Sequence, residues 1–185
     1  WALKSARTET VRTRLLRPSD ATGSADPGTL WPLVGKNAER FRPGLLVHTL
    51  LARLPEIAPD KRKALAVRFL QANKHDEAEK LADETIRVLS DPQFAACFAP
   101  GSRAEVAIVA DLPEIGDGAR LNGRIDRLAI TDTEVLAIDF KTNRPPPSRA
   151  EDVSTLYLAQ MALYRAALAK VFPGKRIATA LVWTE

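Results

Sequence analysis

The sequence predicts an α/β fold in the order helix, three strands, helix, strand, with extra helices on its N-terminal side. Three observations predict it. Apolar residues recur at helical spacing between residues 45 and 98. Strand-like apolar runs separated by turns then fill residues 103–141. A long helical pattern at 153–171 leads into one more strand-like run at 176–183. At 185 residues the chain suits one domain with a sizeable core.

Each element has its own signal. Residues 1–38 mix polar residues with Pro18, Gly23, Pro27, Gly28, Pro32 and Gly35 and sustain no period, which predicts a flexible linker. Arg42-Pro43-Gly44 is turn punctuation, so the first helix is expected from Leu45 to Leu54, where Pro55 ends it. Pro59-Asp60 opens a second helix over 61–73. Asp76-Glu77 opens a third over 78–89, with acids where the helix dipole favours them. Asp91-Pro92 caps a short fourth helix through Phe98. After Pro100-Gly101 come strands at 103–110, 120–130 and 135–141, the last two joined by a tight turn at Thr131-Asp132-Thr133. Pro145-Pro146-Pro147 closes that segment. Leu156, Ala159, Leu163, Ala167 and Val171 line one face of the next helix, and Pro173-Gly174 separates it from the final strand.

Charge is unevenly placed. The net charge is +4, from 27 basic and 23 acidic residues. Lys4, Arg7, Arg12, Arg14 and Arg17 against Glu9 account for all of it, and the rest carries 22 of each sign. A neutral body does not bind nucleic acid mainly by bulk charge. No run approaches the roughly 18 apolar residues of a membrane span, and no secretory signal opens the chain, so no membrane partner is expected. Cys97 is the only cysteine in the sequence, which excludes an internal disulfide, a cysteine zinc site and an iron–sulfur cluster, and fits a reducing cytoplasm. Trp1 and Trp183-Thr184-Glu185 read as cut ends of a longer protein.

Several residues could do chemistry. Asp139 and Lys141 project to one face of their strand while Ile138 and Phe140 project to the other. They are either a metal-binding acid with a lysine that holds a water or a phosphate oxygen, or a surface ion pair worth under about 1 kcal/mol. The turn at 131–133 makes a hairpin that sets Asp126 beside Asp139. Two adjacent carboxylates repel unless a cation lies between them, and hard oxygen donors suit Mg²⁺ or Mn²⁺. The other reading pairs Asp126 with Arg124 or Arg127. Gly123 allows close backbone approach nearby. Gln160 and Tyr164 share a helix face, as a site component or an ordinary polar patch. His48 is either a ligand or a semi-buried histidine on a leucine-rich helix, and Glu105 is a lone acid on the first of the three strands.

Gly123-Arg124-Ile125-Asp126-Arg127-Leu128, Ala137-Ile138-Asp139-Phe140-Lys141-Thr142 and Gln160-Met161-Ala162-Leu163-Tyr164, with His48 upstream, together resemble the RecB-type nuclease domain of the PD-(D/E)xK superfamily. The resemblance spans roughly residues 40–185 and implies that superfamily's restriction-endonuclease-like core. Within it the chain is similar to the nuclease domain of AddA-type helicase–nucleases of alphaproteobacteria. That likeness implies a linker at 1–38 from a missing helicase region, a nuclease domain at 39–185, and hydrolysis of DNA phosphodiesters with Mg²⁺ or Mn²⁺. It further implies an exonuclease acting in end resection during recombinational double-strand break repair, with DNA and an AddB-like subunit as partners. Asp126, Asp139, His48 and the Phe140 carbonyl would hold the metal. Lys141 would be catalytic, Gln160 and Tyr164 would position DNA and support the site, and Glu105 matches an acid often found on the first strand.

The sequence departs from relatives that carry a four-cysteine iron–sulfur cluster. It also lacks a phosphate-binding loop, since Val34-Gly35-Lys36-Asn37 has neither the upstream glycine nor the hydroxyl, so ATP would bind only in the missing motor. The basic N-terminal segment would track DNA or an acidic neighbouring surface. Two other readings stand beside this one: a DNA-binding or assembly module whose nuclease site has decayed, and a standalone restriction-like endonuclease.

Overall fold

The structure, a computed structural model, describes residues 13–18 and 38–184. Its elements are β1 (Arg14–Leu16), α1 (Ala38–Arg53), α2 (Pro59–Ala72), α3 (Ala78–Ser90), β2 (Arg103–Asp111), β3 (Ala119–Ile130), β4 (Glu134–Lys141), α4 (Thr155–Val171) and β5 (Arg176–Trp183). Short 3₁₀ turns cover Leu54–Glu56, Pro92–Phe98 and Ala150–Asp152. The expected helix, three strands, helix, strand order is therefore present, in a central sheet with helices on both faces.

Two expectations change. The first helix begins at Ala38 and runs through Pro43 and Gly44, which had read as punctuation. Gly44 serves packing instead: a Cβ there would lie 2.5 Å from Oγ1 of Thr142, at the end of β4. Pro43 lies past the first turn, whose backbone N–H groups have no intrahelical partner, so the helix runs through it at the loss of one backbone hydrogen bond. The second change is β1. Residues 14–16, expected as unstructured linker, pair in parallel with Ala119–Leu121 of β3. A three-residue strand has no periodicity to read. The rest of the expected linker, 1–12 and 19–37, lies outside the described residues, as do Lys4, Arg7 and Arg12 of the basic segment.

The sheet has one feature that shapes all the rest. β2 pairs antiparallel with one edge of β3, from Arg103↔Leu128 to Asp111↔Arg120. The opposite edge of β3 is shared: β1 takes its start, and β4 takes its end, from Arg127↔Ile138 to Ile130↔Val135. Between them, residues 122–126 have no strand partner on that edge among the described residues. β4 continues on to pair in parallel with β5 as far as Lys141↔Trp183. The strands therefore fork just beyond Arg127.

Alternation along the strands splits the core in two. Ile138, Phe140 and Val182 pack with Leu46, Val47, Leu50 and Leu51 of α1 and with residues of α2 and α3. Ile125, Leu128, Val135 and Ala137 pack with Met161, Leu163, Tyr164, Ala167 and Leu168 of α4. Each fully buried aliphatic side chain contributes about 1.5–3 kcal/mol. Ile125 and Leu128 share a cluster although three residues apart, so strict alternation fails between them, at Asp126 and Arg127. The β2 partner position is also irregular: Glu105 has φ 55° and the Glu105–Asp126 pair is missing from an otherwise continuous register.

Arg127 staples the fork. It is 3% exposed, donates to the carbonyls of Cys97 (3.0 Å) and Leu51 (3.4 Å) and to Ser102 Oγ (2.9 Å), and lies over the Phe98 ring. α1, the 92–98 turn and β3 thus meet on one guanidinium. Removing it strands buried carbonyls, so Arg127→Met is expected to lower unfolding free energy by about 2–4 kcal/mol. Urea unfolding measures this; a loss under about 0.5 kcal/mol would show that the staple carries little.

Candidate active site

The fork gathers residues from four elements. β3 brings Asp126, β4 brings Asp139 and Lys141, α1 brings His48 and α4 brings Gln160 and Tyr164. Asp126 is the first β3 residue past the paired region, and its Oδ2 accepts the backbone N–H of Phe140 at 2.8 Å. A side chain thus takes the place of the next ladder bond. His48 Nδ1 lies 3.5 Å from the same Asp126 oxygen, and the His48 ring stands edge-on to Phe140. Phe140 stacks in turn on Phe98.

Asp139 and Lys141 point to the α4 side. Gln160 binds both, its Nε2 donating to Asp139 Oδ1 (2.8 Å) and its Oε1 accepting from Lys141 Nζ (3.1 Å). Lys141 Nζ is also 2.7 Å from Asp139 Oδ2, so the two charges pair inside the fold. Tyr164 OH donates to the carbonyl of Arg124 at 2.6 Å, satisfying backbone exposed by the fork. Gly123 makes room for this: a Cβ there would sit 2.9 Å from the Tyr164 ring and 2.8 Å from Pro18.

Neither arginine pairs with Asp126. Arg124 binds Glu105 (3.1 Å), and Arg127 is committed to the carbonyls and hydroxyl above. Asp139 and Lys141 are no surface pair either, with side chains 5% and 11% exposed. Glu105 is the expected site residue that the fold leaves outside the cluster. Its side chain is exposed and ion-paired with Arg124. The strand pattern also gave no hint of Tyr157, whose ring centroid lies 3.9 Å from Lys141 Nζ. Its signal was position: Tyr157, Gln160 and Tyr164 fall on one α4 face.

The electrostatics follow from burial and the neighbouring acids. Burial and the negative charge of Asp126 push the Asp139 carboxyl up to about 6, against the pull of Lys141 and His48. Burial alone would lower His48; its contact with Asp126 and the charges of Asp126 and Asp139 lift it above its ordinary value. Burial raises Tyr164 well above the usual phenol range, so it stays a neutral donor.

In this arrangement the polar groups mostly satisfy one another, and among the described residues no three His, Cys, Asp or Glu side chains stand together as a metal cage. The donor set nevertheless suits a hard divalent cation: two carboxylates, one of them buried beside a lysine, and an imidazole.

Two acids, a buried lysine two residues from the second acid, and a glutamine holding acid and lysine together thus meet at the sheet fork. A sequence profile of the PD-(D/E)XK nuclease superfamily matches residues 30–184. The chain belongs to that superfamily. No curated protein matches it.

A raised pKa means that the folded chain holds protons the unfolded chain has released, so stability falls as pH rises through that window. For Asp139 the window runs from 3.8 to about 6, and the His48 shift adds to the decline above 6.5. In buffer without divalent ions, Asp139→Asn is expected to gain on the wild type by about 2–3 kcal/mol between pH 4 and pH 7. Urea unfolding at both pH values measures the gain; a difference independent of pH would show that Asp139 ionises normally.

Proposed function

We propose that the chain is the metal-dependent DNA nuclease domain of an AddA-type, ATP-dependent helicase–nuclease, hydrolysing DNA phosphodiesters in end resection during recombinational repair. The observation that carries this reading is the convergence of Asp126, Asp139 and Lys141 at the β3–β4 fork. Hydrolytic members of the superfamily typically use divalent metal ions. Asp126, Asp139, His48 and the Phe140 carbonyl would hold Mg²⁺ or Mn²⁺ here. A bound ion of this kind supplies Lewis acidity toward water and phosphate.

The chain's own groups do the rest. Lys141 brings a fixed ammonium to the point where charge grows on a non-bridging phosphate oxygen, or orients the attacking water. Gln160 keeps that ammonium aligned with Asp139, and its amide can pass from them to DNA. Tyr164, a permanent donor to the Arg124 carbonyl, holds β3 open beside Asp126. Site neutrality fits a neutral body: acids await a cation, and the cation meets the phosphate. The helicase link rests on the motif resemblance to AddA-type domains alone; the basic stretch at 4–17 would then lead from a motor acting with an AddB-like partner.

Incubation with single-stranded and duplex-end DNA in Mg²⁺ is expected to give digestion that EDTA abolishes. Asp139→Ala and Lys141→Ala should each lower turnover at least about 10²-fold. Lys141→Ala should leave Mn²⁺ binding, read by electron paramagnetic resonance, nearly intact. Full activity of Asp139→Ala would overturn the assignment, and DNA binding without cleavage by the wild type would favour the decayed-module reading.

A further inference from the structure

Lys141 is held on three sides, and only two of them are oxygens. Its ammonium has three N–H groups. One reaches Gln160 Oε1 at 3.1 Å, and Asp139 Oδ2 stands 2.7 Å away. The remaining neighbour is the face of Tyr157, whose centroid is 3.9 Å from Nζ, well inside the roughly 6 Å reach of a cation–π contact.

The ring is itself fixed. Tyr157 is 6% exposed and lies in the first turn of α4, where Ser154 caps the helix by accepting from the Leu156 N–H. Its OH donates to Asn143 Oδ1 (3.3 Å), just past the end of β4. Its edge rests against Trp183, with centroids 6.5 Å apart. Trp183 is the β5 residue directly opposite Lys141 in the β4–β5 register. A cation two strands deep in the sheet thus meets an aromatic wall built from α4 and β5.

We propose that Tyr157 is a positioning residue for Lys141, its ring face holding the ammonium at the β3–β4 fork in the orientation that cleavage needs. This rests on the nuclease reading for its consequence, although not for its geometry. A ring attracts the charge without demanding a particular N–H direction, unlike a carboxylate. The ammonium can therefore turn a proton from Asp139 toward an incoming oxygen while staying in place. A partly dry site strengthens the attraction, and Lys141 is 11% exposed.

The test separates ring electronics from ring shape. The full chain is made with phenylalanine at position 157, then with mono-, di- and trifluorinated phenylalanine, which keep the shape while emptying the negative ring face. Relative to Tyr157→Phe, kcat on single-stranded DNA should fall stepwise, by about tenfold at the trifluoro ring, with the Mg²⁺ concentration for half-activation unchanged. Independently of activity, NMR of the metal-free chain should show the Lys141 ε-CH₂ protons shifted upfield in the wild type and in Tyr157→Phe, and unshifted in Tyr157→Leu. A missing upfield shift in the wild type, or a flat fluorine series, overturns the proposal. A wild type that shows the shift but cuts no DNA with any divalent ion would overturn the nuclease reading and leave the Tyr157–Lys141 pairing standing.

Discussion

The parting of β3 from β4 beyond Arg127↔Ile138 is the constraint on which the rest of the structure depends. Had the ladder continued, Asp126 and Asp139 would sit as a directly opposed cross-strand pair, the arrangement that is most costly for like charges. Because the strands part, Asp126 turns to the Phe140 N–H and the two acids settle on different partners. The backbone left bare on β3 is then covered from outside the sheet, at Arg124 by Tyr164. The irregular Glu105, with its positive φ, marks the strain of the same departure on the β2 side.

Two kinds of support hold the fork open. On the α1 side it is a charge without a carboxylate: Arg127 satisfies carbonyls that would otherwise be buried unpaired, and the stack from Phe98 through Phe140 to His48 carries that order to the acids. On the α4 side it is a row of polar and aromatic groups aimed at β3 and β4. The two faces divide the labour. One sets the imidazole and Asp126; the other sets Asp139 and Lys141.

Much of this was legible in the sequence, and the exceptions share a cause. Strand alternation placed Asp139 and Lys141 together, the tight turn at 131–133 put Asp126 beside them, and helical spacing paired Gln160 with Tyr164, because local periodicity determines those relations. The entry of α1 was misplaced at Pro43-Gly44, since a glycine required by Thr142 looks the same as a glycine required by a turn. β1 was missed because it is a tertiary strand, formed only where β3 offers an edge. The placement of the Glu105 carboxylate was not legible for a similar reason: sequence puts it on its strand, but Arg124 and the local backbone decide where it points. The staple at Arg127 depends on contacts across long stretches of chain, for which no spacing rule exists, whereas Tyr157 shares its helix face with Gln160 and Tyr164.

Those long stretches also set an order in time. The Arg127–Leu51 bond closes 76 residues, Tyr164–Arg124 closes 40 and Gln160–Asp139 closes 21. Contacts of such separation form late in folding, because the loop must close before the contact rewards it. A chain emerging from the ribosome has both acids and the lysine before it has α4, yet nothing then holds Lys141 against Asp139 or props β3 open at Arg124. The centre is therefore assembled by the arrival of a helix that supplies no acid of its own.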